Sequence, residues 1–544
     1  MPCMLKTKNT PVEWIRSHSY VILAVIIFFQ VLVMVYYLDQ KNGYHLDEIY
    51  SHTQANGQLN GYLGRNDVDL YNNWHTSDYF FESLTVQYGE RLEFKPVYQA
   101  LSRNVHPPFY HMQLHAVYSL FLNTWSKWLA GSLNLFWFIA ASIMLYLASR
   151  LILTGRFLAL LPNAVWGFST GAISSIVFFR MYVVLTFFFV ALVYLGLLII
   201  GKNTKANLKY CIALSLVIFF GLFTHLYFII FFALAAFAVL LWLLYKKEYK
   251  QLRNCAVTVA TTLVVYYFCW PSVAQQLRSY RGEQSIANFF DVNDFADRIK
   301  SFGSIINREL FGGMQLFFVF AMLALLGFVI IRLLIQKKDP SQISRQKTHT
   351  ALVCFVFMLF CTVPYFLIIV KIAPYMTDRY IFAIYPILFL LIIKLFHALL
   401  QRINSRISTV IVALSLFLIL SDCSDKNVAY LYKNDPDISQ IIQDYETTSC
   451  IYIPSSSNNY IELYFPDFAL FDRTYICKST DDLTIALEGV NGDDDLLLYL
   501  SRAMDNDSEI LNDIRSMLPH QEISLLYKTH SYNVYHTKGK NGSF

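Results

Sequence analysis

The chain has 544 residues, of which 56% are hydrophobic and 15% charged, with a formal net charge of +5. Ordinary soluble domains carry more charge and fewer apolar residues, so the composition excludes a soluble globular protein and points to a membrane protein. No Walker or GxGxxG loop occurs, and no nucleic-acid partner is expected.

A helix crossing a hydrocarbon core of about 30 Å takes roughly 20 residues. In chain order, candidate spans fall at 20–38, 134–149, 157–179, 181–200, 210–224, 226–245, 255–271, 314–331, 351–370, 380–393 and 409–421, eleven in all. The first is long and lacks a small-residue cleavage site, so it is expected to be an uncleaved anchor. With the N-terminus in the cytoplasm, alternate segments collect 20 lysines and arginines against three acidic residues (Glu13, Glu248 and Asp339). The positive-inside rule therefore predicts N-in, C-out. The segment 106–122 is apolar but holds His106, His111, Gln113 and His115. As a span it would invert every later loop, so it is expected to be an interfacial helix on the outer leaflet.

Three regions follow. Residues 1–421 form a transmembrane core, within which 39–131 is a large outer loop holding six basic and nine acidic residues. Residues 422–544 hold 20 of the 38 acidic residues and read as a small α/β domain outside the membrane. There CIYIP (450–454), RTYICKS (473–479) and DLLLYLS (495–501) are expected strands, 506–517 a helix, and 525–537 a terminal strand or hairpin. Nine cysteines are scattered without zinc-type spacing. Cys450 and Cys477 could pair in an oxidising compartment.

The unusual polar residues all fall on the outer side of this topology. They are Asp47 and Glu48 in YHLDEIYSH (44–52), His106 before two prolines, and Arg180 and Tyr182 in FFRMY. Thr224, His225 and Tyr227 follow in THLY, then Asp378, Arg379 and Tyr380 in TDRY. Ionisable groups near membrane depth are costly unless paired or lining a polar cavity, so they mark function by default. Taken singly, each has a structural reading. Asp47 and Glu48 could be a solvated helix end, His106-Pro-Pro a helix start, Arg180 and Arg379 headgroup anchors, and His225 a core histidine. The loop 272–311, with Arg278 and Arg281, is either a lid or a solvated connection. His45, Asp47, Glu48 and His52 have the ligand types for a divalent metal, at loose spacing.

LDEIYS after the first span, then VHPPFYHMQLH, FFRMY, FTHLY and DRYIFAIYP, resemble the GT-C glycosyltransferases over roughly residues 15–400. More narrowly they resemble the glycosyltransferase 39 and protein O-mannosyltransferase-like group, which includes the lipid A aminoarabinose transferases. Those transferases carry a lysine at the position of His106. The resemblance implies a mainly α polytopic GT-C core of about 11 spans in a plasma (inner) membrane. It further implies a sugar donor on a polyprenyl phosphate and a glycan, lipid or protein acceptor, with transfer on the outer face. Asp47 matches the family's acidic position and is the expected general base, since an acceptor hydroxyl must lose its proton as it attacks. Glu48 is expected to orient or bind. Arg180, Arg379 and His106 are expected at the lipid phosphate, a leaving group needing stabilisation rather than a proton. Tyr182, His225 and Tyr380 complete the expected substrate-binding set. Inversion is the expected course. Rival readings are a transporter or flippase of lipid-linked sugars, or a glycan polymerase or ligase.

Overall fold

The computed structural model describes residues 18–56, 70–202, 204–291, 293–314, 342–400, 427–432, 444–445, 448–454, 461–488, 490, 494–502, 507–528 and 532–539. Contacts divide the chain into two units. One comprises Met1–Leu38, Ser102–Tyr110 and Gly131–Ala429; the other comprises Asp39–Leu101, His111–Ala130 and Tyr430–Phe544.

The first unit is helical. Among the described residues, six helices are long and apolar enough to cross a membrane: Ser19–Asp39, most of Lys127–Ile152, Tyr182–Lys202, Phe228–Tyr245, Tyr249–Cys269 and Thr350–Ile372. Leu208–Thr224 and Tyr385–Leu400 are shorter apolar helices. The expected spans 314–331 and 409–421 lie, almost entirely, outside the described residues. Tyr182–Lys202 is buried along most of its length and packs against Leu208–Thr224, Phe228–Tyr245 and the long helix ending at Ile372. Ser19–Asp39, by contrast, presents Phe28, Phe29 and Leu32 outward, as a lipid-facing helix does.

The expected span 157–179 is a broken segment instead. It consists of a 3-10 turn at Leu158–Leu160 and two short helices, Leu161–Gly167 and Thr170–Val177. Pro162 sits in the first turn of one, and Ser169 caps the other by accepting the Ala172 N–H at 3.2 Å. Backbone freed by a break at membrane depth must find protein partners. The Asn134 amide donates to the Ile176 and Phe178 carbonyls at 2.9 and 3.0 Å, and Gln30 donates to the Asn163 carbonyl at 2.9 Å. These neighbours make the break sustainable. The segment 106–122 contains the helix Phe109–Tyr118, whose 10 residues are too few to cross. The loop 272–311 folds into helices Val273–Leu277, Tyr280–Phe290 and Phe295–Phe311.

The second unit is built on a six-stranded sheet. Its strands are β1 (Trp74–Thr76), β2 (Ser449–Ile453), β3 (Arg473–Ile476), β4 (Leu496–Ser501), β5 (Gln521–Lys528) and β6 (Tyr532–Gly539), in spatial order β1-β3-β2-β4-β6-β5. β2 is parallel to both β3 and β4, and the other pairs are antiparallel. Every residue of β2 and β4 is buried, which explains their unbroken apolar sequence. One face packs on Ile49, Phe80, Phe465 and Phe468; the other packs on Leu483, Ile510 and Ile514. β1, from the first long loop, completes the sheet beside β3.

Cys450 and Cys477 are both free and buried. They lie on opposite faces of the sheet, Cys450 with Tyr452 and Cys477 with Tyr475. Side chains pointing to opposite faces cannot be bridged without moving backbone, so the pairing that the sequence left open does not form. Alkylation of the denatured, unreduced protein should label both cysteines, and reductant should leave the unfolding temperature unchanged. A linked Cys450–Cys477 peptide in the mass spectrum would contradict this.

Candidate active site

In the second unit the acidic pair opens the helix Leu46–Asn56. Two side chains start it. The His45 Nδ1 accepts the Asp47 N–H at 3.1 Å, and the Glu48 carboxylate reaches back to accept the His45 N–H at 2.6 Å. This is a capping box with histidine in the place of the usual hydroxyl residue. Glu48 is fully buried and paired with the Lys41 ammonium at 3.1 Å, while Lys41 also donates to the Tyr430 carbonyl at 2.6 Å. Burial pulls the Lys41 pKa down, against the opposing pull of Glu48. Ile49 anchors the helix in the sheet core. Asp47, next to the buried Glu48, keeps its side chain partly exposed, 3.8 Å from the His45 ring.

His52, one turn further, is enclosed by aromatic rings: Trp125 at 4.7 Å and Tyr118 at 5.6 Å between centroids. Burial, with a smaller contribution from Lys41, lowers its pKa to about 3. His45, Asp47, Glu48 and His52 do not close on one point. Among the described residues no three His, Cys, Asp or Glu side chains group as a metal ion would require. The reason is local: Lys41 neutralises Glu48, the His45 Nδ1 is engaged by backbone, and His52 is wrapped in rings.

In the first unit the expected substrate-binding residues come together at helix breaks. Arg180 follows the Thr170–Val177 helix at a tight turn in which its N–H donates to the Phe178 carbonyl at 2.7 Å. His225 interrupts the helical path after Thr224 in extended conformation (φ −158°). Gly221 makes this possible, because a Cβ there would lie 2.5 Å from the Phe228 ring. Asp378–Tyr380 is a 3-10 turn before the helix Tyr385–Leu400.

His225 lies at the middle. Its ring is 5.6 Å from His106, 5.8 Å from Tyr182 and 4.8 Å from Tyr227. Tyr227 in turn is 5.8 Å from Tyr380, and the Arg379 guanidinium lies 5.2 Å over the Tyr380 ring. Arg180, His225 and Arg379 are all buried. Burial first, then the charges of Arg180 and Arg379, lower the His225 pKa to about 3. The neutral ring accepts the Tyr227 N–H on Nδ1 at 3.0 Å, which leaves its proton on Nε2 as a donor. His106 is half-buried and held through its carbonyl, which accepts from Gln276 at 3.2 Å; Trp270 donates to the same Gln276 at 3.0 Å. Chemically, two guanidiniums and an N–H donor in a buried setting suit an anion such as a phosphate.

Sequence reasoning passed over a second group in this unit. Arg308 and Glu309 end the helix Phe295–Phe311, and the Arg308 guanidinium stands 2.9 Å from Glu309 and 4.0 Å from Asp378. An Arg-Glu dipeptide in an amphipathic loop helix carries no motif, so only the fold reveals it.

This combination defines a class: the fold is of the GT-C type, a polytopic helical core with a small mixed-sheet unit. In particular, it is the fold of ArnT from Cupriavidus metallidurans. The undecaprenyl phosphate-bound ArnT structure matches with a TM-score of 0.50 at 13% identity, covering 95% of this chain and 98% of that one. The apo ArnT structure matches with a TM-score of 0.52 at 12% identity, covering 96% and 98%. No protein-family model and no curated protein sequence matches the chain.

Two outcomes follow from the buried groups of the second unit. K41M and E48Q should each destabilise it by about 3–5 kcal/mol, because either leaves a buried charge uncompensated. The K41M/E48Q double variant should lose less than the sum in chemical denaturation, and strict additivity would show that the pair does not interact. His52 adds a pH dependence. Its folded pKa of about 3 lies below its ordinary 6.5. Its contribution is therefore complete above pH 6.5 and is lost as pH falls towards 3, by up to about 1.4 kcal/mol per pH unit. Unfolding free energies at pH 7, 6, 5 and 4 should fall less steeply in H52Q.

Proposed function

We propose that the protein is a membrane glycosyltransferase that moves a sugar from a polyprenyl-phosphate carrier to an acceptor hydroxyl or amine on the outer face of a bacterial-type inner membrane, with its N-terminus cytoplasmic. The observation that carries this reading is the buried pair Arg180 and Arg379 around a neutral His225, within the fold of an enzyme solved with undecaprenyl phosphate.

In this reading Asp47 takes the proton from the acceptor as its oxygen or nitrogen attacks the anomeric carbon. The bond from that carbon to the phosphate oxygen breaks on the opposite side, so the configuration inverts. The lipid phosphate departs with the bonding pair, and its negative charge is met by the Arg180 and Arg379 guanidiniums and the His225 Nε2–H. Tyr182, Tyr380 and His106 border this anion. Glu48 does not contact the reacting atoms. Its buried pairing with Lys41 and its bond to the His45 amide fix the helix start that presents Asp47. A carboxylate on the exposed side of a rigid helix terminus can reach a substrate proton while its neighbour holds the backbone still.

The test is transfer of labelled sugar from a polyprenyl-phosphate donor by the purified protein. D47N should lower kcat by about 10²- to 10⁴-fold with donor KM little changed. R180A and R379A should each weaken donor use by about 2–5 kcal/mol. Undiminished transfer by D47N removes Asp47 as the base, and wild-type kinetics in both arginine variants removes the phosphate assignment. Substrate-dependent flux in proteoliposomes without covalent product would replace the whole reading with a transporter.

A further inference from the structure

Three elements meet at Glu309, each from a distant part of the sequence. Its side chain is fully buried at the end of helix Phe295–Phe311. On one side is the helix Thr170–Val177: a Cβ on Gly171 would stand 3.2 Å from Glu309 Oε2 and 2.4 Å from the Tyr385 ring, so only glycine admits both. Ser174 of the same helix faces the Glu309 carboxyl, and its Oγ accepts the Ala429 N–H at 3.1 Å. On the other side Arg308 donates to Glu309 Oε1 from Nε at 3.1 Å and from Nη2 at 2.9 Å, and the same Nη2 stands 4.0 Å from Asp378. Asp378 in turn accepts the Arg379 N–H on Oδ1 at 2.8 Å.

The elements so joined are the two that carry the buried arginines. Thr170–Val177 runs directly into the turn at Arg180, and Asp378–Tyr380 contains Arg379. We infer that Glu309 is a positioning residue: it ties the Arg180-bearing segment to the Arg379-bearing turn and so fixes the separation of the two guanidiniums. This inference rests on the reading of both arginines as ligands of the donor phosphate. Two positive side chains repel one another, and a bidentate anion site needs their spacing held before the anion arrives. A buried carboxyl packed beside Gly171 on one segment and paired with the Arg308 that faces Asp378 on the other supplies that restraint without contacting the anion.

Burial, reinforced by the neighbouring Asp378 charge, raises the Glu309 pKa; Arg308 opposes. The groups facing it are Arg308 on its own helix, Asp378 on the turn, Tyr385 on the following helix and Ser174 on the short helix. Glutamine keeps the Oε1 acceptor to which Arg308 donates. E309Q should therefore keep near-wild-type donor KM, whereas E309A should raise it about 10- to 100-fold, with acceptor KM and unfolding temperature little changed.

The decisive experiment measures donor KM, acceptor KM and kcat for wild type, E309A, E309Q, R308M and R379A of the full chain, using a synthetic polyprenyl-phosphate sugar. Raised donor KM in E309A and R308M, restored in E309Q, supports the positioning role. An unchanged donor KM in E309A beside a raised one in R379A overturns the role of Glu309 alone. An unchanged donor KM in R379A overturns the phosphate reading itself, and the Glu309 role with it. Should E309A fail to fold, R308M decides: a wild-type donor KM there overturns the inference.

Discussion

Satisfying the backbone where a membrane helix breaks is the constraint on which the first unit depends. In hydrocarbon an unpaired N–H or carbonyl costs several kcal/mol, so irregular backbone persists at that depth only where protein groups supply partners. Three irregular turns in the helical path of the first unit pair their backbone with particular side chains. Asn134 takes the carbonyls ending the Thr170–Val177 helix, the His225 ring takes the Tyr227 amide, and the Asp378 carboxylate takes the Arg379 amide. Each break then offers what an unbroken apolar helix cannot, a polar side chain aimed inward. The residues that repair the backbone and the residues that suit an anion are therefore neighbours in the chain.

The same economy operates at the acidic pair. Adjacent carboxylates at a helix start would repel each other if both faced one environment. Here one is buried against Lys41 and spent on the His45 amide, while the other stays partly exposed near the helix's positive end. Sequence alone could not apportion these tasks, because Asp47 and Glu48 are equivalent in any pattern of charge or hydropathy. What separates them is the 100° turn between successive helical residues, which sends one side chain inward and the next outward.

Much of the fold was legible because membrane and sheet burial both write long apolar runs. The spans beginning near residues 20, 181, 210 and 351 and the strands at CIYI and LLLYLS are such runs, and they form. FFRMY, THLY and TDRY stand out as polar interruptions, and the first unit brings Arg180, Tyr182, His225, Arg379 and Tyr380 together with His106. What failed were features whose signal averages away. The run 157–179 is hydrophobic enough to span, and its Pro162 and Ser169 break it without lowering the mean. β1 has three residues and no apolar run, and exists because β3 offers an edge. The Cys450–Cys477 pairing ignored a parity that becomes visible only once β2 and β3 are in register. Glu309 lacked any signal, since Ser174 and Asp378, which face it, are brought to it by tertiary packing.

The protonation state of His225 bears on why the arginine pair is built as it is. A third positive charge within the cluster would add repulsion in a medium where screening is weak. Burial and the two guanidiniums hold the imidazole neutral, and the Tyr227 amide selects the tautomer that keeps hydrogen on Nε2. The ring thus adds a directed donor without adding charge. An anion arriving there would favour protonation of the same ring, reversing the sign of the local field that kept it neutral. In the proposed reading the arginines supply the attraction, the histidine supplies direction, and the separation between the arginines is the one variable neither can set for itself. A restraint between their backbones therefore has to come from elsewhere in the fold, which is the role inferred for the buried Glu309 and its partner Arg308.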